Sequence, residues 1–105
     1  MTADLSPLSG FPHLHATADY IVKLQRPNGA IPWFDGGITD PWDHIEALMG
    51  LTVHGHWRGA EAGLQWLAER QRADGAWYAA YNDEGVADDS RAETNFVAYD
   101  FTCYK

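Results

Sequence analysis

The sequence predicts an all-α fold made of two helical hairpins, and two observations support this prediction. The first is a repeated phrase, QRPNGAI at 25–31 and QRADGAW at 71–77, whose copies are separated by 46 residues. The second is the helical spacing of apolar residues on both sides of the phrase. Because one pair of helices cannot bury both apolar faces alone, we expect the two hairpins to stack on each other.

The first two helices have recognisable start and stop signals. A helix over 13–25 is predicted from its apolar periodicity, and it should end at the helix-breaking sequence PNG. A second helix is predicted over 41–53, because Asp40 is a favourable N-cap and Pro41 suits the first helical position. The intervening stretch, with its prolines and a Gly-Gly pair, is expected to be a long connection.

Two further helices are expected in the second half of the chain. Helical spacing returns over 59–72 and stops at Asp-Gly. After a polar, acidic stretch that is expected to be a solvated loop, Ser90 and Glu93 have the spacing of a capping box. A fourth helix is therefore predicted from Asn95 onward.

The chain is accordingly divided into an arm (1–12) and two α/α repeats (13–54 and 59–105). An alternative places the dipeptides NG and DG at the tips of β-hairpins, since both favour type I′ turns. Polar and apolar residues alternate poorly around both dipeptides, whereas the preceding runs have a helical period.

Composition and charge exclude several functional classes. The chain is 46% hydrophobic, as a folded unit requires, and its net charge of −8 opposes binding to nucleic acid. No run of about 18 apolar residues indicates a membrane span. The single Cys103 cannot form an internal disulfide, and the start MTADLSPLSG lacks the features of an export signal. The cytoplasm is the predicted compartment.

The run WLAERQRADGAW resembles the QW repeat of the squalene-hopene cyclase and oxidosqualene cyclase family, with Gln71, Gly75 and Trp77 at the family's spacing. The first copy has Ile31 where that family has Trp. The phrase IPWFDGGITDPWDHIEALMGL also resembles bacterial prenyltransferase or squalene-oxidase repeat proteins. These resemblances imply an incomplete α/α toroid, in which outer and inner helices surround an apolar cavity.

The chemistry of these families cannot be carried over to the sequence. The cyclases use a DxDD acid motif, and neither DPWD at 40–43 nor ADDS at 87–90 has that spacing. Protein prenyltransferases hold zinc with Asp, Cys and His, but Cys103 has no recognisable partner set. No cofactor and no metal site are predicted, and His54 with His56 is too weak a pattern to change that.

Three functional hypotheses follow from these patterns. The first is a prenyltransferase-like or terpene cyclase-like domain that binds an isoprenoid, and that is inactive as this fragment alone. The second is a carbohydrate-active α/α barrel enzyme that binds a sugar, since such folds also place carboxylates among aromatic rings at helix starts. The third is a noncatalytic repeat module. Because two repeats leave apolar faces uncovered, we expect self-association or a longer chain.

The candidate catalytic residues lie at the start of the second helix. Carboxylates are favoured at a helix N-terminus, and they can supply an acid and a base beside a cavity. The alternatives are an N-cap, charges that stabilise the helix dipole, and a structural histidine. The candidate catalytic residues are Asp40, Asp43, His44 and Glu46.

The candidate substrate-binding residues are aromatic and lie close to the same helix start or to the second copy of the phrase. Such rings can stack on a sugar or enclose an isoprenoid. They are Trp33, Phe34, Trp42, Trp77 and Tyr78. For Trp77, the resemblance implies a structural alternative, in which it ties the loop to a neighbouring helix together with Gln71.

Overall fold

Three helices and a β-hairpin follow one another in the computed structural model, which describes residues 12–93. The elements in order are α1 (Pro12–Leu24), α2 (Pro41–Val53), α3 (Trp57–Arg70), β1 (Trp77–Asn82) and β2 (Gly85–Glu93). The predicted arm, the predicted fourth helix and Cys103 lie outside the described residues, apart from the last residue of the arm.

The prediction of an all-α fold is wrong, because the chain has an α+β fold. β1 and β2 pair in an antiparallel hairpin, with Trp77 opposite Glu93 and Asn82 opposite Gly85. Thr39 forms an isolated antiparallel bridge to Tyr81 on β1. The aromatic residues of β1 favour a strand, and main-chain hydrogen bonds on both edges complete it.

The predictions for the first three helices agree closely with the structure. Their observed bounds differ by no more than two residues from the predicted 13–25, 41–53 and 59–72. The predicted cap of α2 is confirmed, because the Asp40 side chain accepts hydrogen bonds from the main-chain N–H groups of Trp42 and Asp43. Local signals at this helix start therefore determine where it begins.

The two copies of the repeated phrase fold into the same turn. In the first, the Gln25 side chain donates to the carbonyl of Gly29 at 2.9 Å, and in the second Gln71 donates to Gly75 at 2.9 Å. In both, the main-chain N–H of the arginine also donates to the carbonyl of the alanine that follows the glycine, at 2.8 Å. The division into repeats stays a prediction, but this turn is built twice.

Neither turn is a hairpin tip, so the alternative that placed NG and DG there is also wrong. Both turns follow a helix, while the hairpin reverses direction at Asp83 and Glu84. Arg26 forms an ion pair with Asp83 and thereby joins the first turn to the hairpin tip. The predicted acidic loop is an exposed strand, and the capping box at Ser90 and Glu93 is wrong because both residues belong to β2.

The core lies between α2 and α3, which form a helical hairpin through the turn at 54–56. Leu48 and Leu51 of α2 are buried with Leu67 of α3. The helices approach closely because Gly63 has no side chain: a Cβ there would lie 2.2 Å from a methyl carbon of Leu48. Trp66 and other aromatic residues extend this core toward β1.

No helix in the part of the chain from 12 to 93 combines the length and the apolar character that crossing a membrane requires.

We predict that Gly29→Ala destabilises the protein much more than Gly75→Ala. Both glycines have positive φ, 99° and 88°, so each alanine carries the conformational cost of about 1–2 kcal/mol. A Cβ at Gly29 would also lie 2.2 Å from the carbonyl oxygen of Ala62, whereas nothing lies within 4 Å of one at Gly75. Urea unfolding of both variants measures the difference. Equal losses in the free energy of unfolding would contradict close contact between the first turn and α3.

Candidate functional site

Three exposed aromatic side chains lie around the start of α2 and are called the aromatic platform: Trp33, Phe34 and Trp42. Their exposed fractions are 55%, 60% and 39%. The indole N–H of Trp33 donates to Asp43 at 2.8 Å, and that of Trp42 donates to Glu46 at 3.2 Å. Each indole is therefore oriented by a carboxylate of α2 while much of its surface stays open to solvent.

The loop before α2 fixes the main chain of the platform. The N–H of Trp33 donates to the carbonyl of Ile38 at 2.9 Å, and the N–H of Gly37 donates to that of Phe34 at 2.8 Å. Gly36 between them has a φ of 82°, which glycine adopts without strain. A Cβ at Gly37 would lie 3.0 Å from the Phe34 ring, so the ring lies close over its own turn.

Asp40 combines the N-cap with an altered acidity. It is partly buried, and this burial raises the pKa of its carboxyl, against the opposing effect of hydrogen bonds from the N–H groups of Asp43 and Trp42. The negative charges of Asp43 and Glu93 raise this pKa further. A carboxyl group with a raised pKa stays protonated to a higher pH, as a general acid requires.

Glu93 is a residue near this site that the sequence analysis missed as a candidate. Its side chain at the end of β2 is buried and forms an ion pair with Arg91, whose own side chain is 58% exposed. Its charge acts on Asp40 although 53 positions separate the two in the chain. A buried carboxylate at the end of an acidic, polar strand has no local sequence signal, since the hairpin register creates its surroundings.

His44 lies in the core, two residues after Trp42 of the platform. Its side chain is 0% exposed. Its Nδ1 accepts a hydrogen bond from the N–H of Ile31 at 3.1 Å, so the ring proton lies on Nε2, which donates to the carbonyl of Gly63 at 2.9 Å. Burial lowers the pKa of His44 to about 4 from its ordinary 6.5. The imidazole is therefore neutral, and main-chain groups occupy both nitrogens.

The other two predicted binding residues, Trp77 and Tyr78, are buried to different degrees. Trp77 is fully buried, and its indole N–H donates to the carbonyl of Leu67 at 2.8 Å, which matches the structural alternative for this residue. Tyr78 is half-buried, with the guanidinium of Arg72 4.7 Å from its ring centre. The structure thus groups Trp33, Phe34 and Trp42 with the α2 carboxylates and puts Trp77 in the core.

His54 and His56, in the turn between α2 and α3, contact side chains of α1. His54 and His15 approach each other with their Nδ1 atoms 2.8 Å apart, and His56 lies 2.9 Å from a carboxylate oxygen of Asp19. Among residues 12–93, no three His, Cys, Asp or Glu side chains are grouped so that they could hold a metal ion.

The platform and its carboxylates match the chemical surface of a sugar. A pyranose has apolar C–H faces that can lie on an aromatic ring, and hydroxyl groups that donate to carboxylates. Trp33 and Trp42 offer exposed rings, while Asp43 and Glu46 offer acceptors beside them. A neutral ligand of this kind also avoids the repulsion that a net charge of −8 imposes on anions.

Comparison with known proteins finds a similar protein whose alignment spans most of this chain. The chain is 42% identical to an MMP endo-(1,4)-3-O-methyl-alpha-D-mannosidase of Mycolicibacterium hassiacum over 102 residues, which cover 91% of this chain. The same alignment covers 28% of the relative, so the chain spans little more than a quarter of that protein's length. No protein-family model matches the chain.

The resemblance to squalene cyclases and prenyltransferases is therefore wrong, and so is an isoprenoid function. The similar protein is named as a mannosidase, and a β-hairpin over 77–93 stands where the toroid required a loop between helices. The Gln71–Gly75 hydrogen bond and the Trp77 bond to Leu67 explain the misleading motif. They brace a turn after a helix, and such a brace is independent of any reaction.

We predict that His44 makes the stability of the protein depend on pH between about 6.5 and 4. In this window the unfolded state binds a proton that the folded state excludes, so the free energy of unfolding falls as the pH falls. The full loss from this residue is about 3 kcal/mol. Urea unfolding of the wild type and of His44→Asn at several pH values measures it. The same pH dependence in both proteins would show that His44 does not titrate in this way.

Proposed function

We propose that this chain is the sugar-binding part of a glycosidase that acts on 1,4-linked 3-O-methyl-α-D-mannosides. The observation that supports this most directly is the pair of exposed indoles, Trp33 and Trp42, each hydrogen-bonded to a carboxylate at the start of α2. The mannosidase of M. hassiacum supplies the substrate class, since it is similar over 91% of the chain. Binding is assigned to the chain itself, and hydrolysis to a longer protein to which this chain would contribute carboxyl groups.

The aromatic platform suits a methylated sugar better than a fully hydroxylated one. Each 3-O-methyl group replaces a hydroxyl donor by an apolar methyl, which gains free energy when it leaves water. The exposed rings of Trp33 and Phe34 offer apolar surface for such a methyl group, and the Trp42 ring lies on the helix beside them. The remaining hydroxyls can donate to Asp43 and Glu46.

Hydrolysis of a glycoside requires two carboxyl groups whose pKa values differ, one acting as the acid and the other as the base or nucleophile. We assign the acid to Asp40, because burial and the charges of Asp43 and Glu93 raise its pKa. Asp43 and Glu46 are the candidates for the second group. We assign no proton transfer to His44, since main-chain groups occupy both of its ring nitrogens.

A cytoplasmic location and self-association both stay predictions. Self-association was expected from the apolar helix faces that two repeats leave uncovered. In the structure, Val53 and Trp57 are 65% and 61% exposed at the end of the α2–α3 hairpin that lies opposite the platform. Light scattering that shows a compact, stable monomer at micromolar concentration would refute self-association.

We predict that Trp33→Ala weakens binding of a 1,4-linked 3-O-methyl-α-D-mannose oligosaccharide by about fivefold or more, as for a central aromatic contact. Isothermal titration calorimetry measures the dissociation constant. The matched control is Trp57→Ala, which removes a tryptophan of similar exposure at the opposite end of the α2–α3 hairpin. Similar affinities of the two variants would contradict a binding site at the platform.

We predict that Asp40→Asn abolishes most hydrolysis while it preserves the fold. Asparagine caps a helix about as well as aspartate, so the free energy of unfolding should change by less than about 0.5 kcal/mol. Loss of a general acid should lower kcat by about 100-fold or more. The test is oligosaccharide cleavage by the longer protein. Full activity of the variant would show that Asp40 is the helix cap and not the general acid, even if sugar binding is intact.

A further inference from the structure

We propose that His44 is the positioning residue of the aromatic platform. It holds the loop that carries Trp33 and Phe34 in the position relative to α2 that sugar binding requires. The inference rests on the proposed function. It goes beyond that function because a buried side chain, which cannot touch the ligand, then determines the position of the platform. Three observations support it: the bonds of the imidazole, its place in the chain, and the other ties of the loop.

The imidazole joins three segments of the chain at one point. It belongs to α2, it accepts from the N–H of Ile31 in the loop, and it donates to the carbonyl of Gly63 in α3. Ile31 precedes Trp33 by two residues, so the hydrogen bond fixes the main chain immediately before the platform. The two bonds hold both nitrogens of the neutral ring and so leave it little freedom to rotate.

The same turn of α2 fixes Trp33 from its other side. Asp43, which precedes His44, accepts the indole N–H of Trp33 at 2.8 Å. The main chain before Trp33 and the tip of its side chain are therefore both anchored on two consecutive residues. A shift of the Ile31 segment away from His44 would carry the indole away from Asp43, since both depend on one short stretch of loop.

Two other ties hold the loop before Trp33, and the bridge between Thr39 and Tyr81 holds it after the platform. Gln25 donates to the carbonyl of Gly59 at 2.8 Å, and Gly29 lies against the carbonyl of Ala62. Both hold the first turn to α3, but neither reaches the residues after it. The bond to Ile31 is the last of these ties before Trp33, so its loss should release the platform while the turn stays in place.

The chemistry of amide side chains indicates which substitution should preserve this role. An asparagine amide oxygen lies close to where Nδ1 lies in histidine, so His44→Asn keeps an acceptor for the Ile31 N–H. A glutamine amide nitrogen lies close to where Nε2 lies, so His44→Gln keeps a donor for Gly63 and lacks the acceptor at Nδ1.

The test compares these two amide variants by NMR and by sugar titration. We expect His44→Gln to shift the indole N–H signal of Trp33, to lose hydrogen-exchange protection at the Ile31 amide, and to weaken oligosaccharide binding by about tenfold. We expect His44→Asn to keep the wild-type indole signal and to bind within about threefold of the wild type. Leu51→Ala is the control, because it removes a fully buried side chain from the same helix about two turns after His44.

Each outcome of the comparison decides the proposal. The proposal is overturned if His44→Gln keeps the wild-type indole signals and affinity. It is also overturned if Leu51→Ala loses as much affinity as His44→Gln. A wild type that binds no oligosaccharide would refute the proposed function alone, because the indole and amide signals report the position of the loop without a ligand. If both of those signals then respond to His44→Gln and not to His44→Asn, the positioning role stands by itself.

Discussion

The rest of this structure depends on the hydrogen bonds of the buried His44 imidazole. In the middle of the core, the ring makes one hydrogen bond to the loop and one to α3. A buried polar side chain is stable only when its partners are in place, so the ring requires the loop, α2 and α3 to meet in one arrangement. Gly63 makes this arrangement sterically feasible, because any larger residue there would collide with Leu48.

The repeated turn shows how identical local structures acquire different uses. Both copies close with the same side-chain and main-chain hydrogen bonds. The first copy is pressed against α3 and leads into the exposed platform, whereas the second leads into β1, whose Trp77 enters the core. An exposed tryptophan beside acceptors can contact a ligand, while a buried one can only brace the fold. Surroundings, and not the motif, therefore separate a candidate binding surface from a structural element.

Charge and aromaticity together favour a neutral, partly apolar ligand at the start of α2. An excess of carboxylates repels anions, and the exposed rings of the platform attract apolar surface. The proposed sugar ligand has both properties, whereas an isoprenoid would leave Asp43 and Glu46 without donors from the ligand. This difference explains why the carbohydrate hypothesis agrees with the site even though the QW motif of the cyclases is present in the sequence.

The sequence by itself determined the three helices, the Asp40 cap and the duplication of the turn. These features depend on neighbours a few residues apart, whose hydrogen bonds and periodicity can be read directly. Only the tertiary structure decided that residues 77–93 form a hairpin, that Glu93 is buried near Asp40, and that Trp77 is a core residue while Trp33 is exposed. The exposed strand β2 has a polar sequence with little preference for a strand, so its conformation comes from pairing with β1. Pairing, burial and the field of a distant charge act between residues far apart in the chain, and no local pattern records them.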